Sequence, residues 1–343
     1  MIASELRRLL DPRLLGRREA REVFGALTSE TSDDVDRAAL LVALSSRRPG
    51  PVELAEFARE MRRRAVPFPI ARTDLAVDLC GSGGARRPSF NVSTVSAFVT
   101  RAAGLKVAKH GNRSRGICGS SDLLAALGLP ILTSIPFARA SYRRYGIAFL
   151  HAPLFHPATR AVGPVRARLG VPTVFNRLGP LTNPARVRCQ VAGSVDTESA
   201  RVTAAALRAL GVSRGITMAS DDGCDEFSPK AATTAFAWTS ARLRRLRIRP
   251  ADLLVPDDRQ GSWSALAPPA AAEEAQRILA GGGGARRGAV LLTSGAALWI
   301  AGRAPSLKAG VERARGALDS GAAEDLLEKL RSLADQFPHS QEA

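Results

Sequence analysis

Between Asp78 and Asp122 the chain reads DLCGSGGARRPSFNVSTVSAFVTRAAGLKVAKHGNRSRGICGSSD, a run rich in glycine, hydroxyl and amide side chains. The apolar stretch Leu75 to Cys80 ends abruptly in Gly81, Ser82, Gly83 and Gly84. Glycines placed directly after a strand let the backbone turn tightly and bring its N–H groups against an anion. Asn91, Ser93 and Thr94 then precede the apolar-periodic Val95, Phe98, Val99 and Ala102. That pattern predicts a helix capped by hydroxyls, with its positive end aimed at the same anion. Leu105 to Ala108 predicts a second buried strand, with Lys109, His110, Gly111, Asn112 and Arg113 at its end and Ser120, Ser121 and Asp122 opening a further helix. In an open α/β sheet, ligands sit beyond the carboxyl ends of strands. Two such ends carrying Gly, Ser, Lys and Asn therefore predict one polar crevice for a multiply phosphorylated ligand.

A second set of groups lies further on. Asp221, Asp222, Asp225 and Glu226 follow the strand-like Gly215 to Ala219. Adjacent carboxylates suit hydrated Mg²⁺, which needs few protein ligands, better than they suit a glycosidase acid/base pair. A turn-forming acidic loop explains the same residues. Arg166 lies on a short helix, Val162 to Leu169, and on its own reads as an exposed helix arginine. The glycines 281 to 284 have no strand before them and carry no phosphate reading. Cys80, Cys118, Cys189 and Cys224 form no CxxC pair, which argues against a zinc site or a disulfide framework and for a reducing cytoplasm.

These groups need elements to position them. Residues 1–72 show apolar side chains at three- and four-residue spacings, as in Val23, Phe24 and Leu27 or Leu54, Phe57 and Met61, and predict an all-helical unit. Asp33 or Asp34 caps its third helix and Pro51 opens its fourth. Pro67, Phe68 and Pro69 mark the passage to a larger α/β unit over 73–343, with strands at Tyr145 to Leu150, Gln190 to Val195 and Gly215 to Ala219. Helices are predicted at Ser199 to Leu210, Ser306 to Ser320 and Ala323 to Leu333. The expected fold is thus a small N-terminal all-helical domain and a large α/β domain with a central, mostly parallel sheet flanked by helices. The net charge of +17 favours polyanionic ligands. With only 5% aromatic residues, however, a stacking platform for single strands is poorly supplied. The excess is read as arginines scattered on helices, such as Arg62, Arg63 and Arg64 or Arg242, Arg244, Arg245 and Arg247, so nucleic acid is expected to bind weakly and without sequence preference. The charged first turns at Glu5, Arg7 and Arg8 do not read as a secretory signal, and no apolar run approaches the roughly 20 residues that span a bilayer.

The motifs together resemble the anthranilate phosphoribosyltransferase family, whose GTGGD, FNIST, KHGNR and GSAD-like segments appear here in the same order. They stand as Gly81-Ser82-Gly83-Gly84-Ala85, Phe90-Asn91-Val92-Ser93-Thr94, Lys109-His110-Gly111-Asn112-Arg113 and Gly119-Ser120-Ser121-Asp122. Val171 to Pro184, VPTVFNRLGPLTNP, resembles the family's RTIFNLLGPLTNP. The resemblance implies transfer of a phosphoribosyl group from 5-phosphoribosyl-1-pyrophosphate to anthranilate, in tryptophan biosynthesis. It implies donor contacts at Gly81, Gly83, Gly84, Ser89, Asn91, Ser93, Thr94, Lys109 and Ser120. It places the acceptor against Gly81, Asn112 and Arg166, and Mg²⁺ on Ser93, Asp225 and Glu226. His110 either lines the aromatic pocket or is structural. The same likeness implies a cytoplasmic homodimer joined through the helical domain and a returning segment near 165–185.

Several positions depart from the family pattern. Ala85 replaces the Asp of GTGGD and is followed by Arg86, Arg87 and Pro88. The loop SRGIC at 114–118 is short, lacks the family's lysine and brings Arg115. His151 stands where the family has Phe, and Thr293-Ser294-Gly295 replaces NAA. All are read as touching the phosphate or metal side. Two further readings stay open on sequence alone: a different aromatic amine as acceptor, and a paralogue with altered catalysis that binds nucleic acid through its positive surface.

Overall fold

The computed structural model describes residues 2–71, 73–82, 87, 89–114, 116–132, 134–239 and 242–337. Four helices come first: α1 (Ala3–Leu10), α2 (Arg17–Leu27), α3 (Asp34–Ser45) and α4 (Pro51–Arg63). Asp33 caps α3 by accepting from Asp36 N at 2.8 Å, and Pro51 sits at the first turn of α4, where its missing N–H costs nothing. Phe24 and Phe57 stack across α2 and α4 with ring centroids 5.8 Å apart.

The α/β part runs β1 (Ala76–Cys80), α5 (Val92–Ala102), β2 (Lys106–Gly111), α6 (Ser120–Ala126), α7 (Ile135–Tyr145) and β3 (Ile147–His151). Short helices α8 (Ala152–Phe155), α9 (Gly163–Leu169) and α10 (Phe175–Leu178) lead to β4 (Cys189–Gly193), α11 (Thr197–Ala209) and β5 (Arg214–Ser220). A hairpin, β6 (Thr233–Thr239) and β7 (Arg242–Ile248), precedes the last helices α12 (Pro268–Leu279), α13 (Ala285–Ile300), α14 (Leu307–Asp319) and α15 (Ala322–Ala334). The sheet order is β3-β2-β1-β4-β5-β6-β7, parallel from β3 to β5 and antiparallel through β6 and β7.

Alternation along the strands divides the core between two faces. Val77, Leu79, Val191, Ile216 and Met218 join the cluster built by α5, α13, α14 and α15. Cys80, Ala192, Ala219, Phe236 and Trp238 turn the other way, into the cluster shared with α1–α4 and α11. Phe175 of α10 lies 6.1 Å from Phe24, so the segment before β4 packs back onto the N-terminal helices. Among the described residues no helix is long and apolar enough to cross a membrane.

The structure corrects four local readings. Tyr145 ends a helix rather than opening a strand, because Gly146 (φ 69°) takes the left-handed C-terminal position and β3 begins after it. Arg242, Arg244, Arg245 and Arg247 lie on the edge strand β7, not on a helix. Charges there keep a free sheet edge from pairing with another chain. Ser93 and Thr94 lie inside the first turn of α5, and the amide of Asn91, at the capping position, donates to Cys118 O instead of capping the helix. Thr293 and Ser294 are fully buried on α13, where Ser294 Oγ donates to Ser96 O at 3.3 Å and Gly295 abuts the Val311 backbone. That departure from the family pattern therefore touches helix packing rather than the phosphate side.

Candidate active site

The chain winds outward from β1 in both directions, to β2 and β3 on one side and to β4 and β5 on the other. The crevice of an open α/β sheet forms at this switch, beyond the carboxyl ends of the strands. Gly81 and Ser82 leave β1 there. Ser82 donates through its N–H and its hydroxyl to Asp225 Oδ2, at 2.5 and 2.7 Å. A Cβ on Gly81 would stand 2.9 Å from Asp225 Oδ2 and 3.4 Å from Glu226 Oε1, so the bare glycine is what lets the acidic pair approach β1. The loop after β5 crosses the end of β4 to arrive there, because the Asp225 backbone lies directly on Gly193. The other acids of the cluster are engaged elsewhere: Asp221 pairs with Arg247, and Asp222 accepts from Ser228 Oγ.

Glu226 is buried, and its pKa is pushed up to about 8. Burial is the main cause and the neighbouring Asp225 adds to it, while Lys109 and hydrogen bonding from Ser93 oppose the shift. Its Oε2 has no hydrogen-bond partner among the described residues. Lys109, at the end of β2, donates to Leu79 O at 2.6 Å and to Ser93 Oγ at 3.2 Å. Gly81, Ser82, Ser93, Lys109, Asp225 and Glu226 thus form one cluster. Its two carboxylates and one hydroxyl are hard oxygen donors, and the orphaned Glu226 oxygen leaves a coordination position open. This set fits Mg²⁺, which keeps several of its waters. No group of three or more His, Cys, Asp or Glu side chains is placed to hold a metal among the described residues.

The remaining candidates fall into smaller groups. Asn112 N donates to Ser120 Oγ at 3.1 Å, which ties the β2 end to the start of α6. Thr94 Oγ1 is buried without a partner among the described residues, and Ser89 bridges to Ser264. Arg166 on α9 donates to Thr173 Oγ1 (3.1 Å) and Asn176 Oδ1 (3.4 Å), and its guanidinium stands 5.1 Å from the Phe175 ring centroid. Gly83 and Gly84 lie outside the described residues, as do Ala85, Arg86, Pro88 and Arg115.

The description "Glycosyl transferase family, a/b domain" matches residues 73–324, and "Glycosyl transferase family, helical bundle domain" matches residues 4–65. The chain is 39% identical to the anthranilate phosphoribosyltransferase of Desulfosudis oleivorans over 96% of this chain and 98% of that protein. The chain belongs to the anthranilate phosphoribosyltransferase family. It is also similar to the crystal structure of that enzyme from Thermus thermophilus, with a TM-score of 0.88 and 37% identity over 96% of this chain and 99% of that one. The enzyme from Saccharomyces cerevisiae in complex with PRPP and Mg shares the fold at a TM-score of 0.83, with 23% identity over 98% of each chain.

Within this member of the phosphoribosyltransferase family, the three described histidines are each engaged by neighbouring protein groups. His110 Nδ1 faces the Gly179 carbonyl at 3.1 Å and so carries the proton, while its Nε2 meets His156 Nε2 at 3.2 Å. Burial lowers the pKa of both, that of His156 to about 4. His151, the family's Phe position, is buried at the end of β3, where its Nδ1 meets Ser121 Oγ at 2.9 Å. The Cys118 thiol is raised to about 11 by burial and by Asp122, which keeps it protonated and unreactive.

A buried network beneath the crevice escaped the sequence reading. Asp78, fully buried in β1, accepts from His110 N at 3.0 Å and from Gln190 Nε2 at 3.1 Å. Gln190 also donates to Pro180 O, Asn183 donates to Ala108 O, and Arg62 donates to Leu181 O. These bonds fasten the 179–183 turn to the sheet. The available signal was an acid inside an otherwise apolar strand, AVDLC, since such a group is buried only with partners.

Proposed function

We propose that the chain transfers the 5-phosphoribosyl group of 5-phosphoribosyl-1-pyrophosphate to anthranilate, giving N-(5-phosphoribosyl)anthranilate and pyrophosphate in tryptophan biosynthesis. The observation that carries this reading is the meeting of Gly81, Ser82, Ser93 and Lys109 with Asp225 and Glu226 at the sheet's switch point, in a chain of this family. The anthranilate nitrogen forms the new bond to C1′. The C1′–oxygen bond breaks with its electron pair on the pyrophosphate, and the amine releases a proton.

In this reading Gly81, Gly83, Gly84, Ser89, Asn91, Ser93, Thr94, Lys109 and Ser120 hold the donor. The ammonium of Lys109 and the first-turn N–H groups of α5 offset the negative charge that grows on the leaving group. Ser93, Asp225 and Glu226 hold Mg²⁺, which supplies charge neutralisation to the pyrophosphate when bound. Gly81, Asn112 and Arg166 orient anthranilate, with the Arg166 fork matched to its carboxylate. Because Thr173 and Asn176 fix the guanidinium, little side-chain freedom is lost when a carboxylate docks.

The same proposal holds residues 1–72 and 73–343 to be separate units and the chain to be a cytoplasmic homodimer. The exposed apolar Val35, Val42 and Val171 support a contact through α3 and the segment near 165–185. The decisive experiment follows the loss of anthranilate fluorescence with the pyrophosphate donor and Mg²⁺. Steady turnover is expected, and a folded preparation without turnover refutes the assignment.

A further inference from the structure

A cavity of about 320 Å³ opens beside the crevice, from Ser82 and Gly193 at the ends of β1 and β4 to the end of α3, the turn into α10 and the start of α11. That size lies at the lower end of the roughly 300–1,000 Å³ range of small-molecule sites. Leu44, Pro49, Val174 and Val195 give it apolar walls, and Ser199 and Thr203 give it hydroxyls. Two guanidiniums reach it, from Arg47 and Arg177. Arg47 is held by Glu53, yet its Nη1 is buried with no hydrogen-bond partner among the described residues. Arg177 has a hydrogen bond to Ser199 Oγ at 3.4 Å but no ion pair among the described residues. Gly81, Asn112 and Arg166, the proposed acceptor contacts, are absent from the residues lining this cavity.

We propose that this cavity is a second ligand site, for a small organic anion with an apolar body whose carboxylate sits on Arg177. Asp196 acts on this cation without forming an ion pair with it among the described residues, so the half-buried charge is only partly compensated and an anion docked on it relieves that cost. The depressed pKa of Arg177, caused first by burial and opposed by Asp196, agrees with that environment. The apolar walls account for the rest of the ligand, as in most small-molecule pockets.

The wall of the cavity is shared with the candidate active site. Ser82 lines it and holds Asp225, while Thr173 and Asn176 line it and hold Arg166. A ligand that moves either contact alters metal or acceptor binding, which makes the cavity an effector site. That coupling rests on the activity proposed above; the binding site itself does not.

The test is calorimetry on the full chain with 3-phenylpropionate as probe, in saturating anthranilate so that the acceptor position is filled. Binding is expected, at least tenfold weaker for the neutral 3-phenylpropanamide and for Arg177→Gln, and unchanged in Asn112→Ala, whose side chain does not line the cavity. Thr203→Phe, which fills the cavity from α11, should abolish it in a chain whose circular dichroism stays that of the wild type. Absence of binding to the wild-type chain overturns the proposal, as does equal binding to Arg177→Gln or loss of binding in Asn112→Ala. Turnover measured on the same preparation separates the two readings. Turnover without probe binding defeats the second site alone, and probe binding without turnover defeats only the proposed activity.

Discussion

Replacing Gly193 by alanine asks whether the acidic pair works through its position. Gly193 is the last residue of β4, and its φ lies outside the left-handed region, so alanine brings no backbone strain of its own. The methyl group is another matter. It would fall on the Asp225 carbonyl oxygen, 2.7 Å from the carbonyl carbon and 3.2 Å from Gly81 Cα. Both neighbours are backbone, so no flexible side-chain end can swing aside and the 225–226 segment must move. Overpacking of this kind costs about 1–3 kcal/mol of stability. A misplacement on the order of 1 Å at a catalytic site costs about a hundredfold in rate. The variant should therefore fold, melt several degrees lower, lose about two orders of magnitude in kcat and bind the Mg²⁺-dependent donor more weakly. Gly25→Ala is the control: nothing lies within 4 Å of its Cβ position in α2, and helix propensity predicts a gain of about 0.5–1 kcal/mol with unchanged turnover. Gly193→Ala with wild-type turnover and donor affinity would refute the reasoning.

Arg166→Ala should raise the anthranilate KM about 10- to 100-fold, the loss of one charge-assisted hydrogen bond of about 1.5–3 kcal/mol, and leave calorimetric donor binding intact; an unchanged KM removes Arg166 from the site. His151→Phe should flatten the acid limb of stability. The folded pKa of His151 is lowered to about 4 by burial, with Arg113 adding to the effect, while the unfolded side chain titrates near 6.5. The unfolded state therefore takes the proton first, and stability is lost as pH falls from 6.5 towards 4. The wild-type chain should lose about 3 kcal/mol more than the variant between pH 7 and pH 4 in urea titrations, and parallel curves would count against a buried neutral His151. Duplex DNA should bind no tighter than about 10⁻⁶ M at 0.15 M salt and should release steeply as salt rises; tight, salt-resistant binding would overturn the reading of the +17 charge as a solvated arginine surface.

What the sequence made legible is local. The glycines after Cys80 and the Lys109-to-Arg113 segment marked strand ends, because short-range chain geometry alone demands those residue types there. The helices with apolar three- and four-residue spacing were equally plain. The β6–β7 hairpin was not: RLRRLRI presents few apolar side chains, and an edge strand that faces solvent needs few. Nor could spacing reveal that Gly193 lies on Asp225, or that Asp78 joins His110 and Gln190 beneath the crevice. Those contacts depend on which strands become neighbours.

The same long-range geometry bears on the altered glycine loop. The acidic pair is held by Ser82 from β1 and by the close approach of Gly81 and Gly193, none of which belongs to the 85–88 segment where the family pattern breaks. Its remaining neighbours, Ser93 and Lys109, stand on α5 and β2, two elements whose cores are closed by Phe98, Val99 and Val107. Among the described residues, the contacts that position Asp225 and Glu226 thus come from the ends of β1 and β4 and from α5 and β2, elements that the sequence shares with the family pattern.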